Sequence, residues 1–120
     1  EERVLELLLP RSDNKRTNPW RADVGAVAAR AMDGAALLEG PVVVELAFAL
    51  PRPKTASKAR RGRPAAKPDI DKLARAMLDA LTGVVFGDDG QVCELHAQKT
   101  YAQGWPGCAV EVRELGEVTP

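Results

Sequence analysis

Lys67-Pro68-Asp69-Ile70-Asp71-Lys72-Leu73-Ala74-Arg75-Ala76-Met77-Leu78-Asp79-Ala80-Leu81-Thr82-Gly83, continuing through Val84-Val85-Phe86 to Gly87-Asp88-Asp89-Gly90, carries the deciding pattern of this 120-residue chain. Ile70, Leu73, Ala74, Met77 and Leu81 recur at helical spacing, which predicts a helix over 69–81 with one buried stripe. Asp71, Arg75 and Asp79 follow one another at four-residue steps on the other side, where neighbours can pair. Gly83 marks the stop. Val84–Phe86 then reads as a short strand before a turn built on Asp88 and Asp89.

Working outward, Arg3–Leu9 is an apolar run expected to form a mostly buried strand. Pro10–Pro19 reads as a polar loop. Trp20–Met32 reads as a helix, with Trp20, Val24, Val27, Ala28 and Ala31 on one stripe, Asn18 as its N-cap, Pro19 in its first position and Gly34 as its stop. Val42–Leu50 is the clearest strand, apolar enough on both faces to be covered at least in part. After the acidic turn, Gln91–Tyr101 alternates, with Cys93, Leu95, Ala97 and Tyr101 on one face. Cys108–Val112 is a final strand. The Gly104-Trp105-Pro106-Gly107 turn between these two predicts an antiparallel hairpin.

These elements predict an α+β fold in one domain over 1–120: a small mixed β-sheet packed with two helices, in the order β-α-β-(basic loop)-α-β-β. The length suffices for a real core, and no segment approaches the apolar run needed to span a bilayer. No leader is readable, so a cytoplasmic location is expected. Cys93 and Cys108 form no CxxC pair, and the single His96 completes no usual zinc set. Both thiols are expected to be reduced core residues.

The net charge is zero, from 17 Lys and Arg against 17 Asp and Glu. The distribution is uneven. Arg52, Lys54, Lys58, Arg60, Arg61, Arg63 and Lys67 follow one another with no acid between them. Residues 51–68 therefore read as a flexible basic loop that orders against a polyanion. Arg11, Lys15 and Arg16 add phosphate-binding candidates, as does Lys72 beyond the loop.

Taken singly, each aspartate has an ordinary explanation. Asp69 can cap the helix, Asp71 gains from the helix dipole, and Asp88 and Asp89 before Gly90 are both explained by turn chemistry. Together they form a carboxylate group fed by a basic loop, which suits Mg²⁺. A metal held there can activate water and stabilise the leaving oxygen of a phosphodiester, and Arg75 is placed to offset charge on the phosphate. Lys99 breaks the apolar face of its strand and is expected to point toward the acids. His96 lies on the polar face, where solvation is the ordinary outcome.

Lys67-Pro68-Asp69-Ile70-Asp71-Lys72-Leu73, Leu78-Asp79-Ala80-Leu81-Thr82-Gly83 and Asp88-Asp89-Gly90-Gln91-Val92 resemble, in content and spacing, the RusA family of Holliday junction resolvases. The resemblance implies a homodimeric, Mg²⁺-dependent endonuclease, with Mn²⁺ as a substitute, that nicks four-way DNA symmetrically in recombination and repair. It implies Asp69, Asp71 and Asp89 as metal ligands and puts the family's catalytic lysine at Arg75. Charge is kept there, but an arginine does not exchange protons at neutral pH. Two other readings stay open: a non-catalytic module for structured nucleic acid, and a protein-interaction domain with a basic arm.

Overall fold

The computed structural model describes residues 4–10, 17–52, 63–65, 68–102 and 107–116. Four strands, β1 (Val4–Pro10), β2 (Val42–Leu50), β3 (Val92–Tyr101) and β4 (Gly107–Glu114), form one mixed sheet. Two helices, α1 (Thr17–Met32) and α2 (Ile70–Leu81), accompany it. The element order agrees with the α+β expectation.

β2 follows its predicted bounds, because nearly every second side chain along it is fully buried. Val42, Val44, Leu46, Phe48 and Leu50 point into a core shared with Val24, Ala28 and Met32 of α1 and Leu73, Met77 and Leu81 of α2. Both helices therefore cover the same face of the sheet. Phe48, Phe86 and Met77 are among the largest side chains enclosed there.

The strand order is β1-β4-β2-β3, with β4 antiparallel to both β1 and β2, and β3 parallel to β2. The expected β3–β4 hairpin is not formed. Cys108, Val110 and Val112 of β4 are each at most 2% exposed, so this strand takes a central place between two partners. No residue of β3 is buried and half are exposed, with Leu95 42% exposed, as suits an edge. A parallel pair cannot be joined by a tight turn, and α2 lies in the crossover from β2 to β3.

Smaller departures have local causes. α1 begins at Thr17, so Asn18 and Pro19 lie in its first turn rather than marking its start. Proline is tolerated there because the first N–H groups of a helix have no intrahelical partner. Ala31 is exposed and Met32 takes the buried position in that last turn. Ile70 of α2 is 36% exposed, whereas Ala76 and Ala80 are buried.

Val84–Phe86 is a turn and not a strand. Val84 and Val85 donate back to the Leu81 carbonyl, and Gly83 donates to Phe86 at 2.6 Å. The positive φ of Gly83, 82°, permits that reversal beyond the helix. Val85 and Phe86 remain fully buried, and the Val85 carbonyl accepts from Leu38 N at 2.8 Å. The turn is thus sewn to the segment that enters β2. Among the described residues, no helix is long and apolar enough to cross a membrane.

Candidate active site

Asp69 occupies the N-cap position of α2, yet its side chain makes no capping hydrogen bond. Its Oδ2 instead lies 3.7 Å from Nζ of Lys72, and both groups are well exposed. An exposed pair of this kind is weak, so the carboxylate is held by little. The ordinary explanation for an aspartate here, helix capping, is therefore absent. Asp71 is exposed in the first helical turn, and Arg75 is exposed one turn further on.

Lys99 reaches this end of the helix from β3. Its register partner is the buried Phe48, so it sits on the helix-covered side of the sheet. Its Nζ donates to the Pro68 carbonyl at 3.0 Å, immediately before Asp69. The expectation that Lys99 turns toward the acidic helix start agrees with this contact. His96 lies on the opposite face, exposed, with Nε2 at 3.4 Å from Oε1 of Glu94.

Asp88 and Asp89 separate by role. Asp88 accepts from Gly90 N at 3.1 Å and caps the 3₁₀ turn Asp89–Gln91. Asp89 is exposed in the first position of that turn, and no residue of the turn is buried. Gln91 was no candidate on sequence grounds, but it organises this corner. Its Oε1 accepts from Gly87 N and Asp88 N at 2.9 and 3.0 Å. Its Nε2 donates to the Leu38 and Gly40 carbonyls, both at 2.9 Å. The signal was present in the sequence: an aspartate followed three residues later by glutamine is a capping-box pattern.

The two acidic ends do not meet within one chain. Asp69 and Asp71 lie at the start of α2, whose twelve residues span about 18 Å. Asp89 belongs to the turn reached after that helix, at the start of β3. Lys99, which contacts Pro68, is seven residues along β3 from Val92, a rise of about 23 Å. Asp69 therefore belongs to the far end of β3, and Asp89 to its near end. Among the described residues, no three His, Cys, Asp or Glu side chains come close enough to hold a metal ion.

Of the basic candidates, Arg52 and Arg63 are described and exposed, as is Lys72. Arg52 is partly committed. Its Nε donates to the Ala102 carbonyl at 3.2 Å, and its guanidinium lies 5.8 Å from the Tyr101 ring centroid. It thus pins the start of the basic stretch to the end of β3, next to the Lys99 end of the site. Arg11, Lys15, Arg16, Lys54, Lys58, Arg60, Arg61 and Lys67 lie outside the described residues.

The cysteines differ from the expectation that both are core residues. Cys108 is buried, and burial pushes its thiol up to about 12. Cys93 is exposed on the edge strand. Native protein treated with a small maleimide at pH 8 is expected to take one label, at Cys93. Cys108 should react only after unfolding, because the thiolate is the nucleophile. Rapid native labelling of both, read by mass spectrometry, would contradict the burial of β4.

The basic stretch, the uncapped Asp69, the α2 register and the Asp88-Asp89-Gly90-Gln91 turn lie within residues 11–113, all of which the family model of endodeoxyribonuclease RusA matches. The chain belongs to the RusA family. It is also similar to the uncharacterized protein YqaN of Bacillus subtilis (strain 168), with 34% identity over 88 residues, covering 66% of this chain and 61% of that relative. The chain thus spans less than two thirds of YqaN. The half-buried Asp69 and the exposed Asp71 lie at the start of α2, and the exposed Asp89 lies beyond its end.

Proposed function

We propose that this protein is a Mg²⁺-dependent, structure-selective endodeoxyribonuclease that works as a homodimer on four-way DNA junctions, nicking them symmetrically in cytoplasmic recombination and repair. The observation that carries the reading is Asp69: it stands at a helix N-cap without capping, beside Asp71 and directly after a basic stretch. Carboxylate oxygens of this kind suit Mg²⁺ or Mn²⁺, which keep several waters and share their shell with phosphate.

One chain offers only two half-sites, because α2 separates Asp69 and Asp71 from Asp89. A two-fold related copy supplies what is missing, with Asp89 of the partner subunit brought to Asp69 and Asp71. Two such sites on one dimer match the near two-fold symmetry of a junction and address opposite strands. The metal, when bound, supplies Lewis acidity and a water of lowered pKa.

The chain's own residues do the rest. Arg52, Arg63 and Lys72 meet phosphates beside the carboxylates, together with the basic residues flanking them in sequence. Arg75 offsets charge on the phosphate from its exposed place on α2, and as an arginine it does so without moving a proton. Binding through phosphates carries little base readout and falls steeply with salt.

The direct test is a synthetic four-way junction incubated with the protein, with and without Mg²⁺. Paired nicks at symmetric positions, dependent on the metal, are expected. Junction binding with no nicking under any divalent cation would favour a non-catalytic module. Absence of both would favour a protein-interaction domain.

A further inference from the structure

Among the described residues, the turn that carries Asp89 is not enclosed. Gly87, Asp88, Asp89 and Gly90 are all exposed, and two of the four are glycines. A ligand carboxylate on such a segment samples many positions unless hydrogen bonds fix the backbone. The bonds that do so converge on one side chain. Gln91 uses both acceptor positions of its amide on Gly87 N and Asp88 N, and both donors on the Leu38 and Gly40 carbonyls. The amide has only one workable orientation, since a flip sets its oxygen against two carbonyls and its NH₂ against two N–H groups.

The anchor itself is firm. Leu38 is 3% exposed and donates to Val85, Glu39 N donates to Oε2 of Glu114 at 3.1 Å, and Pro41 accepts from Leu115 N at 2.8 Å. The segment is thus fixed to the buried turn after α2 and to the end of β4.

We propose that Gln91 is the positioning residue of the metal half-site: its amide clamps the Asp89 turn to the 38–40 segment and so sets where the Asp89 carboxylate meets the rest of the site. The inference rests on the metal-dependent reading above. Gln91 touches no substrate and no metal; it acts through Asp89.

Gln91→Glu separates clamp from shape. The carboxylate still accepts from Gly87 and Asp88, but it faces two carbonyl oxygens with no proton to give. Gln91→Ala removes all four bonds. In the intact dimer, both variants are expected to weaken Mn²⁺ binding, measured by calorimetry without DNA, by roughly 10-fold, and to lower kcat by roughly 10- to 100-fold. KM for the junction should stay within about twofold, since phosphate contacts rather than Asp89 set it. A purely structural role would instead lower folded protein and leave the surviving fraction's metal affinity intact.

Asp71→Asn is the control. Should it leave Mn²⁺ binding unchanged, the metal reading itself fails. Should Asp71→Asn abolish binding while both Gln91 variants bind and turn over as wild type does, the inference about Gln91 fails alone. Hydrogen exchange on the unmodified dimer gives a reading that needs no variant: the Gly87 and Asp88 amides are expected to be protected, and exchange at the rate of open chain would overturn the clamp.

Discussion

Asp71→Asn is expected to abolish Mg²⁺-dependent nicking of a four-way junction, a loss of roughly 10³-fold or more, while junction binding without catalysis stays within about threefold. The substitution keeps the shape of the side chain and removes one negative charge. In the first turn of α2 that charge interacts with the helix dipole, worth about 0.3–1 kcal/mol, too little to unfold the domain. Asp71 is exposed. The expected effect is therefore confined to the ligand that a hard cation loses. Phosphate contacts made by the basic residues are untouched, so a gel shift in Ca²⁺ or EDTA should be nearly unchanged. Full nicking activity in this variant would remove the metal site from α2.

Asp69→Asn tests the same half-site at its less ordinary member. A capping aspartate costs about 0.5–2 kcal/mol to remove, but Asp69 makes no capping bond. Its replacement should leave the melting temperature nearly unchanged while activity falls as it does for Asp71. Stability and activity thus come apart at a position where an ordinary N-cap would link them.

Much of this was legible in the sequence, and the reason lies in periodicity. The apolar alternation of β2 fixed its ends, and the Leu73, Ala74, Met77 and Leu81 spacing fixed α2, because both patterns report burial directly. The reading of Asp88 as turn support also agrees with its place as the cap of the 3₁₀ turn. Strand pairing was not. The Gly104-Trp105-Pro106-Gly107 turn signals a reversal but does not say which strands become neighbours. That choice went to β4 because Cys108, Val110 and Val112 need cover from two sides, and exposed β3 does not.

This one error concealed the most consequential feature of the site. In a hairpin picture, nothing forbids Asp89 from folding back toward Asp69. Once β3 runs parallel to β2, the crossover helix must run against both strands. Its first residue then lies at one end of the sheet, and the turn that follows it lies at the other. The contact of Lys99 with Pro68 and the clamp of Gln91 on Leu38 and Gly40 mark those two ends. The distance between the aspartates belongs to topology, which residue patterns do not record.

The separation makes the central claim testable by complementation. Chains carrying Asp71→Asn and chains carrying Asp89→Asn, each under its own affinity tag, are co-expressed, and the mixed dimer is purified through both tags. When each site takes Asp69 and Asp71 from one subunit and Asp89 from the other, one site of the mixed dimer carries both substitutions and the other carries none. Each parental homodimer is expected to be inactive on a four-way junction with Mg²⁺, and the mixed dimer is expected to regain nicking on one strand only. A mixed dimer that binds the junction as wild type does and yet never nicks it would contradict a metal site shared between two chains.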